Sequence, residues 1–158
     1  MPTIEELLAL DLLTLREHTE RAGDRMDRTV HAAQLRETLA FSHTCCVRRS
    51  AGLVAYAMLN QVAGASWFVR GFNIHPAYRS APVIKDLMQQ VAKVAQREGI
   101  AELRSHVYQT NRLSLAFHRR LGFHIAQENE RAVEFFATVV ELAAANPFME
   151  RPLRSLGK

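Results

Sequence analysis

The sequence predicts a mixed α/β (α+β) fold, with a central sheet, helices on both of its faces and a helical N-terminus. Three observations carry this: an apolar helical period near the start, β-forming segments separated by glycines over residues 43–75, and a strongly two-faced helix over residues 83–98. The order that results is α-α-β-β-β-α-β-α-β, which calls for one mixed sheet with helices packed on it.

At the N-terminus Thr3 is placed to cap a helix, and Glu5 and Glu6 fall in its first turn, where carboxylates suit the positive end of the dipole. Leu7, Leu8, Leu12, Leu15 and His18 recur at about helical spacing until Gly23 stops the run. Such a stripe serves either the core or a dimer face. A second helix is expected from Val30 to Phe41, with Leu35 and Leu39 inward. Thr44 to Arg48, Gly52, and Leu53 to Leu59 read as a hairpin. Beyond Gly64, Ser66 to His75 carries Trp67, Phe68, Val69, Phe72 and Ile74 and reads as a third strand that Pro76 ends. In the next helix Val83, Leu87, Val91, Val94 and Ala95 share a face opposite Lys85, Gln89, Lys93 and Glu98, and Gly99 stops it. A strand over Glu102 to Tyr108, a helix from Asn111 to Leu121 and a last strand from Arg131 to Val140 complete the order.

The 158 residues are 48% apolar and 23% charged, enough for an ordinary core, so residues 1–158 are read as a single domain. The formal charge of +4 accommodates anionic ligands. It lacks the interleaving of aromatic and basic residues used by single-strand binders, so no nucleic acid partner is expected. Cys45 and Cys46 are neighbours, which suits a reducing compartment rather than a disulfide framework. The cluster His43-Thr44-Cys45-Cys46 lacks a second pair at zinc spacing, so no metal is expected. No charged leader with an apolar run opens the chain, and the apolar stretch Phe135 to Ala145 is too short to span a bilayer. A soluble, cytoplasmic protein without a membrane partner is expected.

Two segments carry the chemistry. In the first, residues 72–88, an extended stretch ends at Pro76 and feeds the loop Arg79-Ser80-Ala81-Pro82-Val83-Ile84 at the head of a helix. A helix N-terminus presents unpaired N–H groups and a positive dipole end, which suits a phosphate. In the second, residues 111–123, Asn111 starts a helix, Ser114 follows three later, and Leu121-Gly122-Phe123 closes it. In this order, over roughly residues 43–140, the chain resembles the GNAT superfamily of N-acetyltransferases.

The resemblance implies a GNAT-like, mainly antiparallel sheet and an acyl-coenzyme A co-substrate, acetyl-coenzyme A above all. It makes Arg79, Ser80, Ala81, Pro82, Val83 and Ile84 the pyrophosphate loop. Phe72, Asn73 and Ile74 become the segment whose free peptide groups hold pantetheine, and Asn111 and Ser114 belong to the same cofactor site. His118 stands where the family places a tyrosine that protonates the leaving thiolate, and is carried over as the catalytic residue. The pattern departs in three places. The family usually opens with a strand, its loop glycines are Pro82 and Ile84 here, and residues 61–85 contain no Asp or Glu where many relatives place a base. Proline removes one donor, and a β-branched side chain fills space that glycine leaves open. His75, His106, Tyr108 or an ordered water remain as acceptors of the amine proton. Arg70, on the alternating face of Phe68 and Phe72, is either a partner for a carboxylate on the acceptor or a surface charge.

The expected function is an acyl-coenzyme A dependent N-acyltransferase in which an amine, on a small molecule or a protein, attacks directly within a ternary complex. A homodimer is compatible with this. The alternative is a GNAT-like domain that binds a ligand or partner without turnover.

Overall fold

The computed structural model describes residues 1–149. Helix α1, Ile4–Thr14, opens on a capping box in which Thr3 Oγ1 accepts the Glu6 N–H at 3.1 Å and the Glu6 carboxylate accepts the Thr3 N–H at 3.0 Å. The one long N-terminal helix expected from the sequence is two, because α2 starts anew at Arg16–Arg21. The break follows Thr14, whose Oγ1 donates to the Leu10 carbonyl at 2.9 Å; this back-bonding bends helices. The buried face shifts with it: Leu7, Leu8, Leu10, Asp11 and Thr14 are buried, whereas Leu12, Leu15 and His18 are half-buried. Helix α3, Arg28–Phe41, is capped by Asp27. Among the described residues no strand precedes these helices.

Strands β1, His43–Arg49, β2, Gly52–Ala63, and β3, Ser66–Ile74, follow as an antiparallel meander. Helix α4, Ala81–Glu98, leads to β4, Glu102–Tyr108, and α5, Arg112–Leu121, leads to the pair β5, His124–Glu128, and β6, Ala132–Thr138. The six strands lie in the order β1-β2-β3-β4-β6-β5, and β3 with β4 is the parallel pair. Helix α6, Val139–Ala145, completes the main elements.

Two cores pack on the sheet. On one face Val83, Leu87, Val91 and Ala95 of α4 meet Val69, Leu103 and Phe135, with α5 and α6 beside them. On the other, Leu7, Leu8 and Leu10 of α1 and Leu35 of α3 pack on Leu53, Tyr56 and Met58 of β2, so the first part of the N-terminal stripe, Leu7 and Leu8, is core. Gly99 ends α4 with φ at +68°, a conformation that glycine adopts without a Cβ penalty.

Two sequence expectations need correction. Strand β5 was invisible as a strand because all five of its residues are exposed and no apolar alternation marks them. The last strand stops at Thr138 rather than Val140, since Thr138 Oγ1 accepts the Glu141 N–H at 3.0 Å and caps α6. At the sheet edge, the Gln90 side chain bonds both the N–H and the C=O of Cys46, at 3.0 and 2.8 Å, in place of a neighbouring strand. The Cys45 thiol beside it is buried, and burial pushes its pKa up to about 12, which makes it unreactive.

Candidate active site

Strands β3 and β4 pair from Ser66–Glu102 to Val69–Ser105 and no further, although both run on. The cause is an extra residue in β3. Its register against β2 passes from Leu59–Val69 to Met58–Gly71, leaving Arg70 as a bulge, and a bulge sharpens twist and turns a strand from its neighbour. Gly71 follows because a Cβ there would meet Tyr56 Cε2 at 2.7 Å, so only glycine lets β3 lie this close over the tyrosine ring. The cleft between the strands opens into a cavity of about 380 Å³.

Of the residues expected at the site, Phe72, Asn73, Ile74, Arg79, Ile84, Asn111, Ser114 and His118 line this cavity. Ser80, Ala81 and Pro82 are exposed outside its lining, and Val83 is buried in the core under α4. The Asn73 side chain turns to Asp11, so only its peptide faces the cleft. At the head of α4 the Ser80 N–H is bonded to Tyr78 and the Ile84 N–H to Ser80. That leaves the N–H groups of Ala81 and Val83 without intrahelical acceptors, while Pro82 has none to offer. Ile84 packs on the core and forms part of the cavity wall, so its β-branched side chain narrows the cavity.

Asn111 Oδ1 accepts the Ser114 N–H at 3.1 Å and starts α5. One turn on, His118 is buried with its ring stacked on Phe135, centroids 4.8 Å apart. Its Nδ1 lies 2.8 Å from the Ser114 carbonyl, an acceptor, so the proton sits on Nδ1 and Nε2 accepts the Ser105 hydroxyl at 3.0 Å. Burial pushes its pKa down, against the Ser114 carbonyl, which pulls it up. A neutral ring whose proton is committed to a carbonyl is poorly placed to act as the thiolate's acid.

This histidine has a signature in stability. Because its folded pKa lies below that of the unfolded chain, near 6.5, the unfolded state binds more protons, and stability falls as pH falls through that window. The slope is at most ~1.4 kcal/mol per pH unit and ends below the folded pKa. Urea midpoints between pH 5 and 7 are expected to show it, and His118→Gln to flatten it; an unchanged slope in the variant would assign the effect to other histidines. Glu6, held down to about 2 chiefly by its bond to Arg48, titrates in a separate, more acidic window.

The cavity has two sides. Ser105 of β4 faces α5, while His106 and Tyr108, out of phase with it, face the α2 side. There Tyr108 donates to Asp24 Oδ2 at 2.5 Å, and burial followed by the Asp24 bond raises its pKa. His106 Nε2 donates to Glu134 at 3.0 Å. His75, outside the cavity lining, uses Nδ1 to accept the Ala77 N–H at 3.0 Å.

A further residue completes this side. His18 of α2 lines the cavity and places Nδ1 3.0 Å from the Thr110 carbonyl, while Thr110 Oγ1 donates back to the His18 carbonyl at 2.7 Å. Nδ1 must therefore carry the proton. In the neutral ring Nε2 is then the acceptor, and it makes no hydrogen bond among the described residues. The sequence shows His18 as one position in an apolar stripe, and nothing local signals that α2 meets the loop before α5.

A parallel pair that splays beside an open helix N-terminus is an arrangement suited to an extended, anionic ligand. Residues 7–123 match the Acetyltransferase (GNAT) family. The chain belongs to that family and is an N-acetyltransferase. It is 34% identical to an aminoglycoside N(6')-acetyltransferase type 1 from Acinetobacter genomosp. 13, covering 85% of this chain and 94% of that protein. A protein of the same description from Acinetobacter baumannii is 28% identical, covering 84% and 90%. The PaiA N-acetyltransferase of Thermoplasma acidophilum, solved in complex with coenzyme A, has the same fold, with a TM-score of 0.69 at 15% identity and coverage of 85% and 92%. No helix among the described residues is long and apolar enough to cross a membrane.

Proposed function

We propose that this chain transfers an acetyl group from acetyl-coenzyme A to a primary amine by direct attack in a ternary complex. The observation that carries the proposal is the splay of β3 from β4 beside the head of α4, which frees a peptide edge along residues 70–74. That edge suits the amides of a pantetheine arm. The N–H groups of Ala81 and Val83, with the Arg79 guanidinium, suit a pyrophosphate. Pro82 falls within the first turn of α4, where its fixed φ is tolerated and the loss is one donor.

When bound, the thioester supplies the acetyl group and a leaving thiolate. His18 Nε2 receives the proton released by the amine as the C–N bond forms and the C–S bond breaks, and the thiolate takes its proton from solvent. His118 acts as a positioning residue: through Ser105 and Ser114 it locks α5 against β4 beside the reacting end. A histidine that lines the cavity and leaves one ring nitrogen without a hydrogen bond among the described residues favours turnover over a domain that binds without reacting. The relatives' names put an aminoglycoside amine among the acceptors to test.

The decisive measurement is acetyl-coenzyme A binding by calorimetry together with thiol release. Arg79→Ala is expected to raise KM for acetyl-coenzyme A on the order of tenfold while kcat at saturation stays within about twofold, the pattern of a lost charge-assisted hydrogen bond. An unchanged KM would place the pyrophosphate elsewhere.

A further inference from the structure

The residues that line the cavity include Arg70, Arg79 and Arg120 and not one Asp or Glu. Arg79 and Arg120 come from the head of α4 and the end of α5, the side given above to the co-substrate. Arg70 is different. As the bulged residue of β3 it stands over the Phe68 ring, guanidinium carbon 4.7 Å from the centroid, and Phe68 is edge-on to His106 at 4.7 Å. It therefore belongs with His106, Tyr108 and His18 on the opposite side. Among the described residues it makes no ion pair.

The carboxylates of the elements on that side are already engaged: on α2, Glu17 pairs with Arg21 and Glu20 with Arg16. Asp24 accepts the Tyr108 hydroxyl and pairs with Arg131. Glu134 accepts from Arg104 at 3.3 Å, His106 at 3.0 Å and Gln127 at 3.0 Å. A cationic acceptor entering here meets no free carboxylate and one free guanidinium, held by its contact with the ring while the N–H fork stays open. The cavity also has to hold the thioester end, so its 380 Å³ or so leaves room for a small acceptor.

Resting on the acetyl-transfer reading above, we propose that the acceptor is a small primary amine carrying an anionic group, a carboxylate or a phosphate, with the anion seated on the Arg70 guanidinium and the amine turned toward His18. A polycation of the aminoglycoside type is disfavoured by the same geometry.

The test uses the full chain, acetyl-coenzyme A and a matched acceptor series. β-Alanine and 2-aminoethyl phosphate carry the anion, β-alaninamide and ethanolamine are their uncharged counterparts, and spermidine and kanamycin are polycations. The expected result is a kcat/KM for one or both anionic amines on the order of tenfold or more above its counterpart, the size of a lost charge-assisted contact. Which of the two leads separates carboxylate from phosphate recognition. Arg70→Glu should abolish the preference and Arg70→Lys keep part of it, with unchanged thermal midpoints because the residue is exposed. Equal use of charged and uncharged amines, faster use of kanamycin or spermidine, no acetylation of either anionic amine, or a preference that survives Arg70→Glu overturns the proposal. Calorimetry with acetyl-coenzyme A on the same samples tells the two readings apart. Saturable binding with the wrong preference removes only this inference, whereas no binding removes the acetyl-transfer reading and this inference with it.

Discussion

Replacing His18 with glutamine is expected to lower kcat by roughly 10²–10³-fold at pH 7, within the range lost with a general base. The glutamine amide can still donate to the Thr110 carbonyl and preserve the seam between α2 and the loop before α5. What it lacks is the basic ring nitrogen, Nε2, of a residue that lines the cavity. Acetyl-coenzyme A affinity should stay within about twofold, since the side proposed for the co-substrate is the other one. Attack needs the neutral amine with or without the base, so the variant's residual rate should climb by up to about tenfold per pH unit below the amine's pKa. Pre-steady-state and steady-state rates across pH 6–9 decide the matter. A variant that keeps its kcat at pH 7 takes His18 out of the chemistry.

Asp11→Ala should lower the stability of the fold by about 3 kcal/mol, which for a chain of this size is roughly 6–12 °C in Tm. Asp11 is buried at 2% exposure, yet it is fully used. Oδ1 accepts from the Tyr56 hydroxyl and from Asn73 Nδ2 at 2.7 Å, and Oδ2 accepts from His31 Nε2 at 2.7 Å. One carboxylate thus ties α1 to α3, β2 and β3. Truncation orphans two buried donors at once, and each unsatisfied buried group costs about 1–3 kcal/mol. Burial, followed by the Asp11 charge, raises the Tyr56 pKa far above the ordinary phenol range, so the hydroxyl remains a donor. Chemical denaturation of Asp11→Ala, Tyr56→Phe and the double variant tests the network. Additive losses would show that the groups act independently rather than as a unit.

What could be read from the sequence was what depends on near neighbours. Helix α4 announced itself because Val83, Leu87, Val91, Val94 and Ala95 recur at helical spacing, and all of them are buried. Asn111 could be read as a cap because the bond it makes reaches three residues along the chain. The loop over residues 79–84 and the strand before it were legible as a strand, a loop and a helix in that order. The bend at Leu15 was not, because it depends on which way one threonine hydroxyl turns. Strand β5 carried no alternation to detect. Asp11 reads as an ordinary acid in a helix until Tyr56, Asn73 and His31 arrive from 45, 62 and 20 residues away. His18 and Thr110 meet across 92 residues. Histidine at position 118 was visible, but its tautomer is set by Ser114 and its burial by Phe135, and neither follows from spacing.

The Gln90 amide at Cys46 also bears on how this protein behaves in a crowd. Asp86 holds that amide in place, accepting from its Nε2 at 3.0 Å, so the plug is itself braced. A strand arriving from another molecule along β1 would have to evict it and replace two hydrogen bonds before gaining any. Open-ended stacking of sheets, the route to fibres, requires two usable edges on every molecule. With the β1 margin interrupted in the middle, any association through the β5 margin would stop at a closed pair.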